Sequence, residues 1–180
     1  LLQLLRGAGP AGLAAMPAVA ELGRSHLLRP LLGCDREALQ DYARTHALRW
    51  FDDPSNADDR FDRNYLRREV MPLLRERWPG LATTLSRASD WQAEADRLAS
   101  TLAAADARRL APQPARIDVS RWSALTPERQ RNLLRFLCRA QSLTTPPASR
   151  LESLQALALG DTPRGEVRWP GGEARRYRHW

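Results

Sequence analysis

The chain has 180 residues, of which 43% are hydrophobic and 27% charged, which is the composition of a globular protein and excludes a disordered or low-complexity one. Its formal net charge of +7 arises from 28 basic residues against 21 acidic ones. Every basic residue apart from histidine is Arg, and this excess favours a polyanionic partner because guanidinium groups bind phosphate in a forked geometry.

Membrane insertion and secretion find no support in the sequence. No apolar run approaches the roughly 20 residues that cross a bilayer, and the opening LLQLLRGAG carries no basic leader, so we expect a cytoplasmic protein. Cys34 and Cys138 lie far apart without a neighbouring ligand cluster. We therefore predict neither a disulfide nor a metal site and expect both thiols to be small core residues.

The first predicted elements are short. Residues 1–5 have the pattern of the end of an apolar helix that Gly7 and Gly9 stop, and since no Met or capping residue precedes it we expect a fragment of a longer protein. HLLRPLL, residues 26–32, predicts a buried edge strand or a connector. Asp35 is placed to cap a helix that runs to about His46, and LRWF, residues 48–51, predicts a brief extended segment.

A charged stretch follows, WFDDPSNADDRFDRNYLRREVMPLL, residues 50–74. Its first part predicts an ordered polar loop over residues 52–62, because Pro54 fixes a turn that the adjacent Ser and Asn can close with side-chain hydrogen bonds. A helix is predicted from about Arg63 to Arg77, where apolar residues recur at spacings of three and four. Pro72 should bend this helix, and the Pro-Gly pair at residues 79–80 should end it.

The second half of the chain is predicted to be mostly helical. Residues 81–110 contain neither Gly nor Pro and predict one long helix or two contiguous ones, and residues 116–119 predict a short strand. Thr126 and Pro127 begin a helix that extends to about Gln141, and another covers about residues 150–159. Two extended runs around Pro-Gly-Gly predict a terminal hairpin. The fold class is therefore mainly α, in two parts divided near residue 80.

The charged stretch is the strongest candidate for chemistry. Arg63 and Arg67 lie four residues apart near a helix start with Asn64 beside them, and they could bind a substrate that carries both charge types. Alternatively, Asp52 or Asp53 pairs with one of these arginines as a salt-bridged clasp that only holds the helix. The spacing alone does not decide between the two.

Two further regions are basic enough to contact nucleic acid. Arg131 and Arg135 lie on one face of a predicted helix, either as phosphate contacts or as a solvated face, while the opposite face is apolar. The terminal ARRYRHW combines arginines with aromatic rings, suited to phosphate contact and base stacking or to packing of the hairpin. RGAGPAGL lacks the frame of a dinucleotide-binding loop and reads as a helix stop with a turn.

Three stretches together carry a resemblance to a known family. They are RGAGPAGLAAM at residues 6–16, LLRPLL at residues 27–32 and RWFDDPSNADDRFDRNYLRREVMPLLRERWP at residues 49–79. The chain resembles the tRNA(Ile)-lysidine synthetases here, and more weakly through the long helix and the closing EARRYRHW. The Asp-Pro-Ser-Asn turn, followed ten residues later by Arg-Asn-x-x-Arg, is the specific part of the pattern.

The resemblance implies an ATP-dependent ligase that joins the side-chain amine of free lysine to C2 of the wobble cytidine in an isoleucine tRNA. The base is first adenylated and then attacked by lysine with loss of AMP. ATP and Mg²⁺ are the implied cofactors of the full-length enzyme. Isoleucine tRNA and free lysine are its implied partners, with a homodimer as a further expectation. The family's Ser-Gly-Gly-x-Asp-Ser loop is absent from this sequence, so we expect the fragment to bind no cofactor and to be inactive alone.

The same resemblance implies a domain division. Residues 1–79 correspond to the helical end of an α/β PP-loop catalytic domain of the adenine nucleotide alpha hydrolase-like type. Residues 80–180 correspond to a helical substrate-binding domain for tRNA, which begins with a long linker helix and ends in a small β-hairpin.

Site residues follow by position. The resemblance implies catalytic roles for Arg63, Asn64 and Arg67. It implies substrate-binding roles for Arg6, Gly7, Asp53, Ser55 and Asn56, and tRNA contacts for Arg131, Arg135, Arg175, Arg176, Tyr177 and Arg178. Two alternatives stay open: a stand-alone helical RNA-binding or adaptor protein with a structural clasp, and an ATP-pyrophosphatase that acts on another RNA.

Overall fold

The computed structural model describes residues 1–51, 53–111, 113, 116–160 and 164–178, without the side chain of residue 57. It divides the chain into two compact units, Leu1–Asp96 and Arg97–Trp180. The domain boundary expected at residues 79 and 80 stays a prediction.

The mainly α class is confirmed, because helices dominate both units and the strands form two small antiparallel hairpins. Among the described residues no helix is long and apolar enough to span a membrane. The helices are α1 (Leu2–Leu5), α2 (Pro10–Leu13), α3 (Arg36–Thr45), α4 (Asp62–Tyr65), α5 (Met71–Arg77), α6 (Leu81–Leu110), α7 (Val119–Ser123), α8 (Pro127–Ala140) and α9 (Ala148–Leu159), and the strands are β1 (Val19–Leu22), β2 (Ser25–Leu28), β3 (Arg164–Trp169) and β4 (Gly172–Tyr177).

In the first unit, Gly7 ends α1 as predicted. Its φ of 72° lies in the left-handed region that suits glycine, and the Gly7 and Ala8 amides donate to carbonyl oxygens of the helix at 3.0 and 2.9 Å. The run predicted at residues 26–32 contributes β2, but this strand is exposed and not buried as expected. Its partner β1 was not predicted, and their register runs from Val19 opposite Leu28 to Leu22 opposite Ser25. The extended segment expected at residues 48–51 forms no strand.

The helix predicted from Arg63 to Arg77 exists but is interrupted. A π-helical turn, Leu66–Val70, lies between α4 and α5. Pro72 is the second residue of α5 and has no N–H with which to donate to the carbonyl of Arg68, so regular α-helical hydrogen bonding fails at this point. The predicted bend is therefore a change of helix type just ahead of the proline.

The long helix α6 begins in the first unit, ends in the second and has the predicted bounds, but the strand predicted at residues 116–119 is wrong. Only an isolated bridge between Gln113 and Arg116 remains, and α7 begins at Val119. The Asp118 carboxylate caps α7, because it accepts hydrogen bonds from the amides of Ser120 at 3.0 Å and Arg121 at 3.2 Å. A side-chain cap thus overrides the β propensity of Ile117 and Val119.

Two hydrophobic clusters stabilise the second unit. One contains Cys138, Leu154, Val167 and Trp169, and the other contains Leu110, Trp122 and Leu133. The apolar face predicted for α8 packs into both clusters, as expected. The expectation for Cys34 is wrong, because that thiol is exposed on a turn in the first unit, whereas Cys138 is buried.

Candidate functional site

The Asp-Pro-Ser-Asn sequence forms a single 3-10 turn, Pro54–Ala57. The Asp53 carboxylate caps it and accepts a hydrogen bond from the Ser55 amide at 2.8 Å. This backbone hydrogen bond, together with one from the Ser55 side chain, holds the pKa of Asp53 below its usual range. Asp53 is therefore ionised at neutral pH and shapes the loop from its first residue.

Asn64 connects this loop to the helix that follows. It is buried, and its side-chain amide donates to the carbonyl oxygens of Ser55 at 2.8 Å and Asp58 at 2.9 Å. Arg67 completes the connection through Nη2, which donates to the Asn56 carbonyl oxygen at 2.9 Å and to Oδ1 of Asn64 at 3.2 Å. These two side chains fix the loop against the helix one turn apart.

Arg63 differs from its neighbours. Its side chain is exposed and makes no hydrogen bond or ion pair within the described part of the chain. It lines a pocket of about 270 Å³ together with Arg67 and Arg75 and the apolar side chains of Leu1, Leu2, Leu66 and Met71. The described lining carries positive charge and no carboxylate, which suits an anionic group. Arg75 was missed by sequence reasoning, although it lies two helical turns beyond Arg67.

Arg6 approaches the same helix from the start of the chain. Its guanidinium pairs with the carboxylate of Asp62, the first residue of α4, at 3.1 Å between Nη2 and Oδ2. Both side chains are more than half exposed, so the pair contributes little stability, but it connects Arg6 to the first residue of α4. Gly7 follows Arg6 at the end of α1 and has open space around it.

The proposed salt-bridged clasp takes a different form. Asp53 pairs with neither Arg63 nor Arg67, because its carboxylate caps the turn, and Asp52 lies outside the described residues. The arginine-to-aspartate pairs recorded near the loop join Asp58 to Arg60 at 2.7 Å and Asp59 to Arg68 at 3.2 Å. The loop is held by hydrogen bonds from Asn64 and Arg67 to its carbonyl oxygens and by the Asp59–Arg68 ion pair, which leaves Arg63 available for a ligand.

In the second unit, Arg131 and Arg135 lie half-buried along α8. Arg131 contacts Glu128 at 3.6 Å and donates to Gln155 at 3.4 Å. Arg135 has no carboxylate partner among the described residues, and burial followed by repulsion from Arg131 and Arg139 lowers the pKa of its guanidinium. A half-buried cation between two others is a site that an anion would stabilise.

The four candidate residues at the end of β4 have separate surroundings. Arg175 pairs with Glu173 at 2.9 Å and Glu166 at 3.6 Å, and Arg176 donates to the carbonyl oxygens of Leu157 at 2.8 Å and of Gly160. The Tyr177 ring is flanked by the guanidinium carbons of Arg164 at 5.5 Å and Arg178 at 5.2 Å. The contacts expected for His179 and Trp180 lie outside the described residues.

Comparison with known proteins gives matches to both units. Residues 1–74 match the family model of the PP-loop domain, and residues 117–180 match that of the TilS substrate binding domain. Proteins named tRNA(Ile)-lysidine synthase from Alkalilimnicola ehrlichii and Methylococcus capsulatus are 47% and 44% identical over 99% of the chain, and one from Coxiella burnetii is 44% identical over 86%. The chain spans 40%, 42% and 34% of the length of these relatives.

Proposed function

The chain belongs to the tRNA(Ile)-lysidine synthase family, and on that premise we propose that the protein carrying it is an ATP-dependent tRNA-modifying ligase. It attaches free lysine to C2 of the wobble cytidine of an isoleucine tRNA through an adenylated intermediate. The observation that carries the proposal is the similarity of nearly the whole chain, at 47% identity, to a protein of that name.

Arg63 is the side chain that we assign to the reacting groups. ATP, when bound, supplies the adenylyl group that activates the cytidine. Arg63 is exposed in a pocket with Arg67 and Arg75, so it can bind a phosphate oxygen or neutralise developing negative charge without first breaking an ion pair. Arg6 pairs with Asp62 at the start of the same helix, and we assign it a supporting role in substrate binding.

Asn64, Arg67, Asp53, Ser55 and Asn56 act by holding the loop. Asn64 and Arg67 donate hydrogen bonds to carbonyl oxygens of the loop, and the Asp53 carboxylate accepts one from the Ser55 amide in the turn. A loop fixed at both ends keeps its distance to Arg63 constant, which supports catalysis by proximity. We therefore assign these residues as positioning residues, with Asp53 also able to attract the lysine ammonium by its charge.

In the second unit we assign tRNA phosphate contacts to Arg131, Arg135 and Arg178, while Arg175 and Arg176 support the hairpin that carries them. The described residues contain no cluster of three or more His, Cys, Asp or Glu side chains that could hold a metal ion, so we assign no Mg²⁺ ligands to them. Free lysine and a homodimer remain expectations from the resemblance, and a cytoplasmic location remains an expectation from the sequence pattern.

The reaction itself tests the proposal. Full-length protein is incubated with ATP and isoleucine tRNA, with and without lysine, and AMP release and the modified nucleoside are measured. We expect a lysine-dependent release of AMP that matches the amount of lysidine formed. Release that does not depend on lysine would identify an ATP-pyrophosphatase with another substrate, and tRNA binding without ATP turnover would identify an adaptor.

A further inference from the structure

The second unit contains an open cleft of about 620 Å³. Trp122 from one hydrophobic cluster and Cys138, Leu154 and Trp169 from the other all line it. Leu134 packs against both clusters, and beside it they share a cleft whose volume is typical of a site for a small organic ligand. Burial raises the pKa of the Cys138 thiol, so this wall is uncharged at neutral pH.

Two buried donors on the lining residues lack acceptors. Among the described residues, the buried side-chain nitrogens without a hydrogen-bond partner are Nε1 of Trp122 and Nε of Arg176, and both residues line this cleft. Buried polar groups are normally paired, and a Trp N–H usually finds an acceptor. A ligand with acceptor atoms could accept hydrogen bonds from both nitrogens if these side chains moved slightly toward the cleft.

Positive charge is concentrated on the same lining. Arg175 is paired with glutamates and Arg176 with carbonyl oxygens. Arg116 and Arg178 also line the cleft, and neither has a carboxylate partner within the described ranges. The guanidinium groups of Arg116 and Arg178 therefore lie beside an apolar wall. This combination fits a ligand with a flat apolar body and an anionic group.

We propose that this cleft holds one nucleotide, with its base against the apolar and aromatic wall and its phosphate on Arg116 and Arg178. If the nucleotide is part of an RNA strand, the cleft is one of the tRNA contacts of this unit, and the proposal then rests on the proposed function. A base is favoured over an acyl chain because it has ring nitrogens and oxygens for the two unpaired donors, and because unstacked bases bind aromatic surfaces. Arginine forks onto phosphate oxygens, which fixes the orientation.

The indole N–H signals of the 180-residue chain provide the test, by nuclear magnetic resonance on the ¹⁵N-labelled protein. The Trp122 signal is assigned with Trp122→Phe, and Trp78 and Trp91 in the first unit serve as internal references. We expect AMP or a single-stranded RNA tetranucleotide to shift the Trp122 signal saturably and to leave the references unchanged. Saturation by AMP indicates a site for free nucleotide, and saturation by the tetranucleotide alone indicates a site for RNA.

Two matched double variants distinguish binding by the cleft arginines from a general effect of positive charge. Arg116→Ala/Arg178→Ala removes the two lining cations, and Arg108→Ala/Arg150→Ala removes two exposed arginines of the same unit that do not line the cleft. The first variant should weaken binding of the effective probe about tenfold or more at fixed salt, and the control should change it less than about threefold. Adenosine and ribose 5-phosphate should each bind more weakly than AMP.

Three results would overturn the proposal. They are an unshifted Trp122 signal with both probes, equal weakening by the two double variants, and equal or tighter binding of decanoate, which would indicate an unspecific site for anionic amphiphiles. If any of these results is obtained while isoleucine tRNA still binds in a salt-sensitive way, the cleft is not a nucleotide site. The proposed function of the protein would be unaffected.

Discussion

At the scale of single residues, Asn64 decides how the charged stretch is organised. The sequence predicts an ordered loop next to a helix with two arginines, and both features are present. It could not predict that the Asn64 amide joins them alongside the Asp59–Arg68 ion pair, because the amide hydrogen bonds depend on how close the carbonyl oxygens of Ser55 and Asp58 approach the helix. Such distances arise only when the turn and the helix have both formed.

Replacing Asn64 with Ala should loosen this loop. The change removes the two hydrogen bonds that the Asn64 side chain donates to the Ser55 and Asp58 carbonyl oxygens and the one that it accepts from Arg67, a loss of about 1–3 kcal/mol. Hydrogen exchange of amides 53–60 should therefore accelerate about 5- to 150-fold in the 180-residue chain. Asn56→Ala is the control, because Asn56 contributes only its main-chain oxygen to Arg67. Equal exchange in both variants would show that Asn64 does not hold the loop.

Asp53 should make the turn sensitive to acid. Its pKa is lowered in the folded state, so its contribution to stability is complete above the pKa of the unfolded chain and is lost as pH falls through the lower folded value. The chemical shift of the Ser55 amide should therefore titrate with a midpoint below about pH 3.9, the ordinary value for Asp. The same amide in urea should titrate near that ordinary value, and identical midpoints would contradict the cap.

At the scale of elements, α6 and α8 are joined by side chains that a helical pattern does not reveal. The Arg129 guanidinium pairs with the buried Asp106, and the shorter of its contacts is 2.5 Å. The side-chain amide of Asn132 donates to the Ala99 carbonyl oxygen at 2.7 Å. The sequence pattern predicted both helices, because α6 is a run without Gly or Pro and α8 begins with a Thr-Pro start signal. It could not pair their polar residues, which lie 23 and 33 positions apart in sequence.

Arg129→Ala should destabilise the second unit strongly. The change leaves Asp106, whose side chain is 3% exposed, as a buried carboxylate without its guanidinium partner, and an uncompensated buried charge is strongly destabilising. Urea unfolding of the chain, followed by circular dichroism, gives the free energy of unfolding. Arg168→Ala removes exposed pairs on the hairpin and should cost no more than about 1 kcal/mol. Similar costs for the two variants would contradict a structural role for the Asp106 pair.

At the scale of the whole molecule, the two units differ in how they bury apolar surface. The described residues of the second unit supply every residue of the two hydrophobic clusters, whereas large side chains of the first unit such as Phe51 and Leu73 are 83% and 67% exposed. Periodicity alone predicts buried apolar faces, and it could not distinguish the side chains that the second unit buries from those that the first unit leaves exposed.

The tRNA contacts proposed for the second unit are electrostatic, so salt should weaken them. The logarithm of the association constant of the 180-residue chain for isoleucine tRNA should fall linearly with the logarithm of salt concentration. Arg135→Ala should reduce that slope by about one if Arg135 contacts one phosphate, whereas Arg150→Ala should leave it unchanged. A flat salt response, or the same slope in all three proteins, would argue against phosphate contacts from α8.

The most direct measurement is the rate of lysidine formation on isoleucine tRNA by full-length Arg63→Ala enzyme. Arg77→Ala is its control, because Arg77 is exposed at the end of α5 and does not line the pocket that contains Arg63, Arg67 and Arg75. If Arg63 binds the reacting groups, its loss should lower the rate about a hundredfold with an unchanged melting temperature, while the control retains the parent rate. An Arg63→Ala rate within about twofold of the parent would show that Arg63 lies outside the reaction site.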